Sequence, residues 1–225
     1  QDAIVWLNDP ANWTGPNGII ALTAEHLTMS LVAVLAAAAI ALPLGIWLGH
    51  TGRGATLTVV VANTTRALPT LALLTLFAAS AIGFGNRATV LAVTVFAIPP
   101  ILTNAHEGVR SVDPDARDAA VGMGMAPSRV LRSVSIPLAL PLIGAGIRTS
   151  AVQVVATIPL AALVGGGGLG VIIVTGIATQ RYGKALAGAV LVAAICLVVE
   201  GVLALTQRTL TPAPLRQLAR TEAAA

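Results

Sequence analysis

The sequence predicts an all-α polytopic membrane protein with about five transmembrane helices, and three observations carry that prediction. Only 10% of the 225 residues are charged while 56% are hydrophobic, against roughly 25% charged in a soluble domain. Mean hydropathy is +0.88, which leaves too little polar surface to coat a domain of this length in water. The apolar residues also fall into long runs free of Arg, Lys, Asp and Glu, of the length (about 20 residues) that a helix needs to cross a hydrocarbon core of roughly 30 Å. This composition excludes a soluble enzyme and a disordered chain. Alternating segments of about ten residues are missing, which argues against a β-barrel. The one cysteine, Cys196, lies in an apolar run and reads as packing.

Taken in order, residues 1–24 read as an extracytoplasmic leader that lacks the basic start of a signal peptide. The first span is expected at 28–49. Its Gly45 and Gly49 form a G-x-x-x-G that reads as close helix packing. The second, at 55–82, is too long for a straight crossing and contains Asn63-Thr64-Thr65-Arg66-Ala67-Leu68-Pro69. Pro69 is expected to kink it, and a six-span reading splits it there. The third and fourth spans are expected at 88–105 and 138–163. Gly165, Gly166, Gly167 and Gly168 follow, then Leu169 and Gly170. Such a run cannot hold a stable helix. Irregular backbone at that depth must face protein or a watery cavity, so it is a candidate gate or hinge. The fifth span is expected at 185–207, which makes 25–207 the membrane domain and 208–225 a cytoplasmic tail.

Basic residues set the expected orientation. Five spans place Arg53, Arg110, Arg117, Arg129, Arg132, Arg208, Arg216 and Arg220 on one side. Arg87, Arg181 and Lys184 fall on the other, with the acidic leader. The positive-inside rule then puts the 110–132 segment and the C-terminus in the cytoplasm and the N-terminus outside. The sequence pI near 10.6 follows from that topology, so nucleic acid is not an expected partner.

Several motifs fail on context. Gly165, Gly167 and Gly170 fit G-x-G-x-x-G, but no strand precedes them and no acid lies about 20 residues beyond. Gly165 and Gly170 have the spacing of a phosphate-binding loop, yet Val171 stands where lysine is required. His26, His50 and His106 sit at expected span ends and read as interface histidines, with no metal or catalytic cluster among them.

The longest cytoplasmic loop, about 106–137, is the informative part. Asp113-Pro114-Asp115 reads as an N-cap, an N1 proline and a first-turn acid. Gly122 and Gly124 can end that helix with a left-handed cap. Pro127 starts a second short helix over 127–135, which Pro137 is expected to stop. A membrane-surface helix pair is the alternative to a docking element here.

Asp118-Ala119-Ala120, Gly124 and Val134-Ser135-Ile136-Pro137 resemble the E-A-A-x-x-x-G-x9-I-x-L-P loop of ABC-importer permeases. Asp118 replaces Glu, Val134 replaces Ile and Ile136 replaces Leu. Thr65-Arg66-Ala67-Leu68-Pro69, Ala145-Gly146-Ile147-Arg148-Thr149-Ser150, Glu25-His26-Leu27 and the four-glycine run are most similar to osmoprotectant permeases, with the methionine permease a more distant relative. The resemblance spans about residues 25–215. It implies the type I ABC-importer permease fold in a bacterial cell membrane. Asp118, Ala119, Ala120, Gly124, Val134, Ile136 and Pro137 would couple the chain to cytosolic ATP-binding subunits. It further implies a second permease subunit, identical or paralogous, and an extracytoplasmic substrate-binding protein, with lipid around the spans. No cofactor is expected in the chain itself, ATP and magnesium being bound by the partner, so it is expected to be non-catalytic. The alternatives are a permease for another small polar solute such as methionine, or an ion-driven secondary transporter or channel.

Arg66, Arg148 and Glu200 fall within expected spans, where each must face the bundle or a cavity. Asn63, Thr64 and Arg66 are candidates for the translocation path. Arg148 and Glu200 read as an ion pair joining the fourth and fifth spans.

Overall fold

The computed structural model describes residues 2–52, 54, 56, 58, 60, 63 and 69–210, and among these the regular structure is helical with no strand. The helices are α1 (Asp2–Asn8), α2 (Ile19–Thr51), α3 (Thr70–Ala79), α4 (Asn86–Arg110), α5 (Pro114–Gly122), α6 (Pro127–Val164), α7 (Gly170–Ala178) and α8 (Tyr182–Leu210). Four of them, α2, α4, α6 and α8, are long and apolar enough to cross a membrane.

α4 is the central helix, with α2 on one flank and α6 on the other. The α2 seam is a stripe at four-residue spacing, Met29, Ala33, Ala37, Ala41, Gly45 and Gly49, all buried. Small residues let the two backbones meet. A Cβ at Gly45 would lie 2.8 Å from Leu102 O, and one at Gly49 only 2.5 Å from His106 O. The G-x-x-x-G is therefore spent within the chain, on α4. On the other flank a Cβ at Gly146 would sit 2.6 Å from Asn104 Cβ, and Ser150 Oγ donates to Ala97 O at 2.9 Å. That bond reaches α4 just before Pro99 and Pro100, where the helix loses two amide donors.

The first span begins at Ile19 rather than 28, taking in the end of the supposed leader. The charge-free criterion stopped short because Glu25, the acid that interrupts the run, is satisfied inside the bundle. The rest of the leader is ordered against the bundle as well. Trp6 and Leu7 of α1 pack with Leu191, Val192 and Ile195 of α8 around Leu22 and Ile172. Trp13 Nε1 donates to Leu7 O at 2.7 Å.

Pro69 breaks the second span instead of kinking it. It stands extended at φ −62°, ψ 127° as the N-cap of α3, so no helix runs through it. The ten residues of α3 cover only about 15 Å, half a hydrocarbon core. Most of 53–68 lies outside the described residues. The third span extends to 86–110, beyond the expected 88–105.

Pro137 does not stop the second loop helix. α6 runs from Pro127 through a π-helical turn at Leu131–Ser135 into the span Ile136–Thr157, then tightens to 3-10 geometry over Ile158–Val164. The wider π turn displaces the carbonyl that a proline ring would strike in an α-helix. A further short helix, α7, follows the glycine run where none was expected.

Arg148 Nε lies 3.4 Å from Glu200 Oε1, so the expected ion pair does join α6 to α8. His26 and His106 are not interfacial but buried. His26 Nε2 donates to Val155 O at 2.9 Å, since a carbonyl can only accept.

Candidate functional site

The 25 residues of α4 span about 36 Å and separate two irregular regions. α5 hangs from its C-terminal end, and the glycine run lies against its N-terminal end.

At the α5 end, Asp113 Oδ1 accepts from Asp115 N at 2.9 Å, giving the expected N-cap, with Pro114 opening the helix. The helix closes in a Schellman motif. Met125 N donates to Ala120 O at 3.1 Å and Gly124 N to Val121 O at 2.8 Å. Gly124 takes φ +81° with nothing within 4 Å of a Cβ placed on it. Glycine is needed there for backbone conformation, and the space outside is left for something else. Gly122 stays within the helix.

Sequence reasoning missed Arg117. Its Nη2 donates to Val109 O, and to Arg110 O at 3.3 Å. The guanidinium thus covers the last carbonyls of α4, where a cation also meets the negative end of the helix dipole. That contact folds α5 back beneath the bundle. An arginine seven residues beyond a helix end was the available signal.

The loop motif divides into a tip and a root. Asp118, Ala119 and Gly124 are exposed at the tip beside Val121 (56% exposed) and Met123 (72%). Ala120 is buried, turned toward the bundle. Val134, Ile136 and Pro137 are half-buried at the root, in the π turn and the start of the span. The tip is an apolar patch with one acidic group, carried on a helix held at both ends.

At the opposite end the four glycines are tightly held. Gly165 (φ +70°) and Gly168 (φ +80°) take left-handed conformations. Between them, Gly167 N donates to Asn86 Oδ1 at 2.7 Å, and Gly168 N donates to Glu25 Oε2 at 2.9 Å. Asn86 Nδ2 then donates to Glu25 Oε1 at 2.6 Å. A Cβ at Gly167 would fall 2.0 Å from the Glu25 carboxylate, so no other residue fits there as the loop stands. Asn86 and the role of Glu25 were not foreseen. A carboxylate close before an apolar span was the visible signal.

Of the candidate path residues, Asn63 is helical and exposed, while Thr64 and Arg66 lie outside the described residues. Among the described residues no group of three or more His, Cys, Asp or Glu side chains could hold a metal.

Comparison with known proteins gives a consistent picture. Residues 41–211 match the family described as binding-protein-dependent transport system inner membrane component. The chain is similar to the choline transport system permease protein OpuBB of Bacillus subtilis (strain 168), at 36% identity over 196 residues, covering 87% of this chain and 90% of that one. It is similar to the glycine betaine/carnitine/choline transport system permease protein OpuCB of the same organism, at 34% identity over 190 residues, covering 84% and 87%. In fold alone it matches an inward-facing structure of the MetNI methionine ABC transporter, with a TM-score of 0.73 at 22% identity, covering 86% of this chain and 96% of that one.

Proposed function

The chain belongs to the family of binding-protein-dependent transport system inner membrane components, and from that we propose that it is the permease subunit of an ABC importer for osmoprotectants of the glycine betaine, choline and carnitine type. Its relatives' transport of choline and of glycine betaine and carnitine supports the solute class. ATP and magnesium belong to cytosolic partner subunits, and capture of the solute to an extracytoplasmic binding protein. The chain pairs with a second permease subunit in a bacterial cell membrane. Its N-terminus lies outside and its C-terminus inside, as the arginine-rich side requires.

The observation that carries this reading is the α5 tip. Exposed Val121 and Met123 beside Asp118 are costly to leave in water and suit a groove in a partner. Arg117 fixes the helix on α4 and the Schellman turn closes its end, so a push on the tip reaches the central helix of the bundle. Gly165–Gly168 act as the gate at the far end, and Asn63, Thr64 and Arg66 remain the candidates for the path.

The test is uptake by the assembled complex in membrane vesicles, offered radiolabelled glycine betaine, choline, carnitine and methionine. ATP-dependent accumulation of at least one quaternary ammonium solute, without methionine uptake, is expected. Uptake of methionine alone, or uptake driven by an ion gradient without ATP, would overturn the proposal.

A further inference from the structure

Three elements distant in sequence meet at the glycine run. Glu25 comes from the second turn of α2, Asn86 from the first residue of α4, and the amides of Gly167 and Gly168 from the loop between α6 and α7. Their three hydrogen bonds close a ring, in which one carboxylate accepts from a side-chain amide and a backbone amide. Bonds to an ionised acceptor are the stronger kind. No ion pair to Glu25 occurs among the described residues, Arg148–Glu200 being the one found there. The carboxylate is thus held by two amide donors, one lost if the loop moves and the other if Asn86 moves.

The loop around the ring turns on glycine at two points. Its two left-handed glycines, Gly165 and Gly168, bracket the tied segment. Beyond it Leu169, fully buried, anchors the loop among Ile19, Leu22 and Ile172. On the other side Gly85 N donates to Val164 O at 3.0 Å. Between those two anchors, the side chains that bond the loop's backbone are Glu25 and Asn86.

We propose that Glu25 and Asn86 are positioning residues that latch the glycine loop shut at the end of the bundle opposite α5, and that transport opens the loop by exchanging the Gly167 and Gly168 amides for water. This rests on the reading of the chain as an importer permease. The latch explains why a residue larger than glycine is barred at Gly167, and why an acid stands within an otherwise apolar helix. It also makes opening conditional, because the carboxylate must find replacement donors before the loop can leave.

The test uses the full complex in right-side-out vesicles, with Cys196→Ala and a single reporter, Leu169→Cys, which is fully buried when the loop is latched. A second reporter, Val164→Cys, is also buried and serves if the first does not assemble. An impermeant maleimide should label either reporter slowly. Glu25→Ala and Asn86→Ala should each raise the rate about tenfold or more, as loss of a charge-assisted hydrogen bond implies. Arg87→Ala, next to the latch but outside it, should leave the rate unchanged. Equal rates in all variants overturn the latch, and so does an equal rise in Arg87→Ala, which would report general loosening. ATP and solute should speed labelling of the unsubstituted latch in vesicles that accumulate solute, and an unmoved rate there also overturns it. Vesicles that take up none of the four solutes speak against the importer reading alone, since the comparison of variants needs no turnover.

Discussion

Gly124 concentrates the functional claim into one residue. Its φ of +81° costs a side-chain-bearing residue roughly 1–2 kcal/mol, and a Cβ there would point into open space at the α5 tip. Gly124→Val should therefore leave the bundle inserted, because no span contains the residue, while deforming the turn and obstructing docking. Substrate-stimulated ATP hydrolysis and uptake should fall together, with solute binding by the delivery protein unchanged. Asp118→Lys should act alike, by reversing the charge at the exposed tip. Wild-type transport by a normally expressed Gly124→Val protein would remove α5 as the coupling element. Gly167 is the opposite kind of glycine. There the backbone must approach a carboxylate, so the same substitution is barred by contact.

At the scale of the elements, the bundle is held by the close approach of α2 and α4. Gly49 has His106 O and Val109 Cβ within about 3 Å of where its Cβ would be. Gly49→Val must push two packed backbones apart, a change that costs about 1–3 kcal/mol in a well-packed core. Gly201, in α8, has nothing within 4 Å, so Gly201→Val is the matched control. Thermal unfolding in detergent should show a lower midpoint for Gly49→Val and an unchanged one for Gly201→Val. Equal midpoints would mean that the α2–α4 seam can relax and does not hold the bundle together. From Ala33 to Gly49 the buried stripe of α2 is alanine and glycine at four-residue spacing, which brings the two axes close.

For the whole molecule, the two irregular ends should face opposite sides of the membrane. Asn17 and Thr179 are exposed near the glycine end, and Met123 and Ser128 are exposed at the α5 end. In a Cys196→Ala background, cysteines at Asn17 and Thr179 should react with an impermeant thiol reagent added outside. Cysteines at Met123 and Ser128 should react only when the cytoplasmic face is opened. Labelling of Asn17 and Ser128 from one side would overturn the orientation. With that orientation, the glycine loop and α5 stand on opposite sides of the membrane, about 36 Å apart along one central helix.

The sequence by itself determined the class of the protein, its long apolar helices, the α5 cap at Asp113, the turn at Gly124 and the Arg148–Glu200 pair. All of these rest on composition or on contacts that simple periodicity and bilayer energetics anticipate. The start of α2, the burial of His26 and His106, the passage of α6 through Pro137 and the Glu25–Asn86–Gly168 ring were decided only by the tertiary structure. Each depends on a partner supplied from far along the chain. A charge or a polar ring reads as the end of a span until a donor or acceptor from another helix satisfies it. Pro137 reads as a stop until a wider turn makes room for its ring. Hydropathy weighs each residue against lipid and water, whereas in the folded bundle the medium that decides is the neighbouring helix.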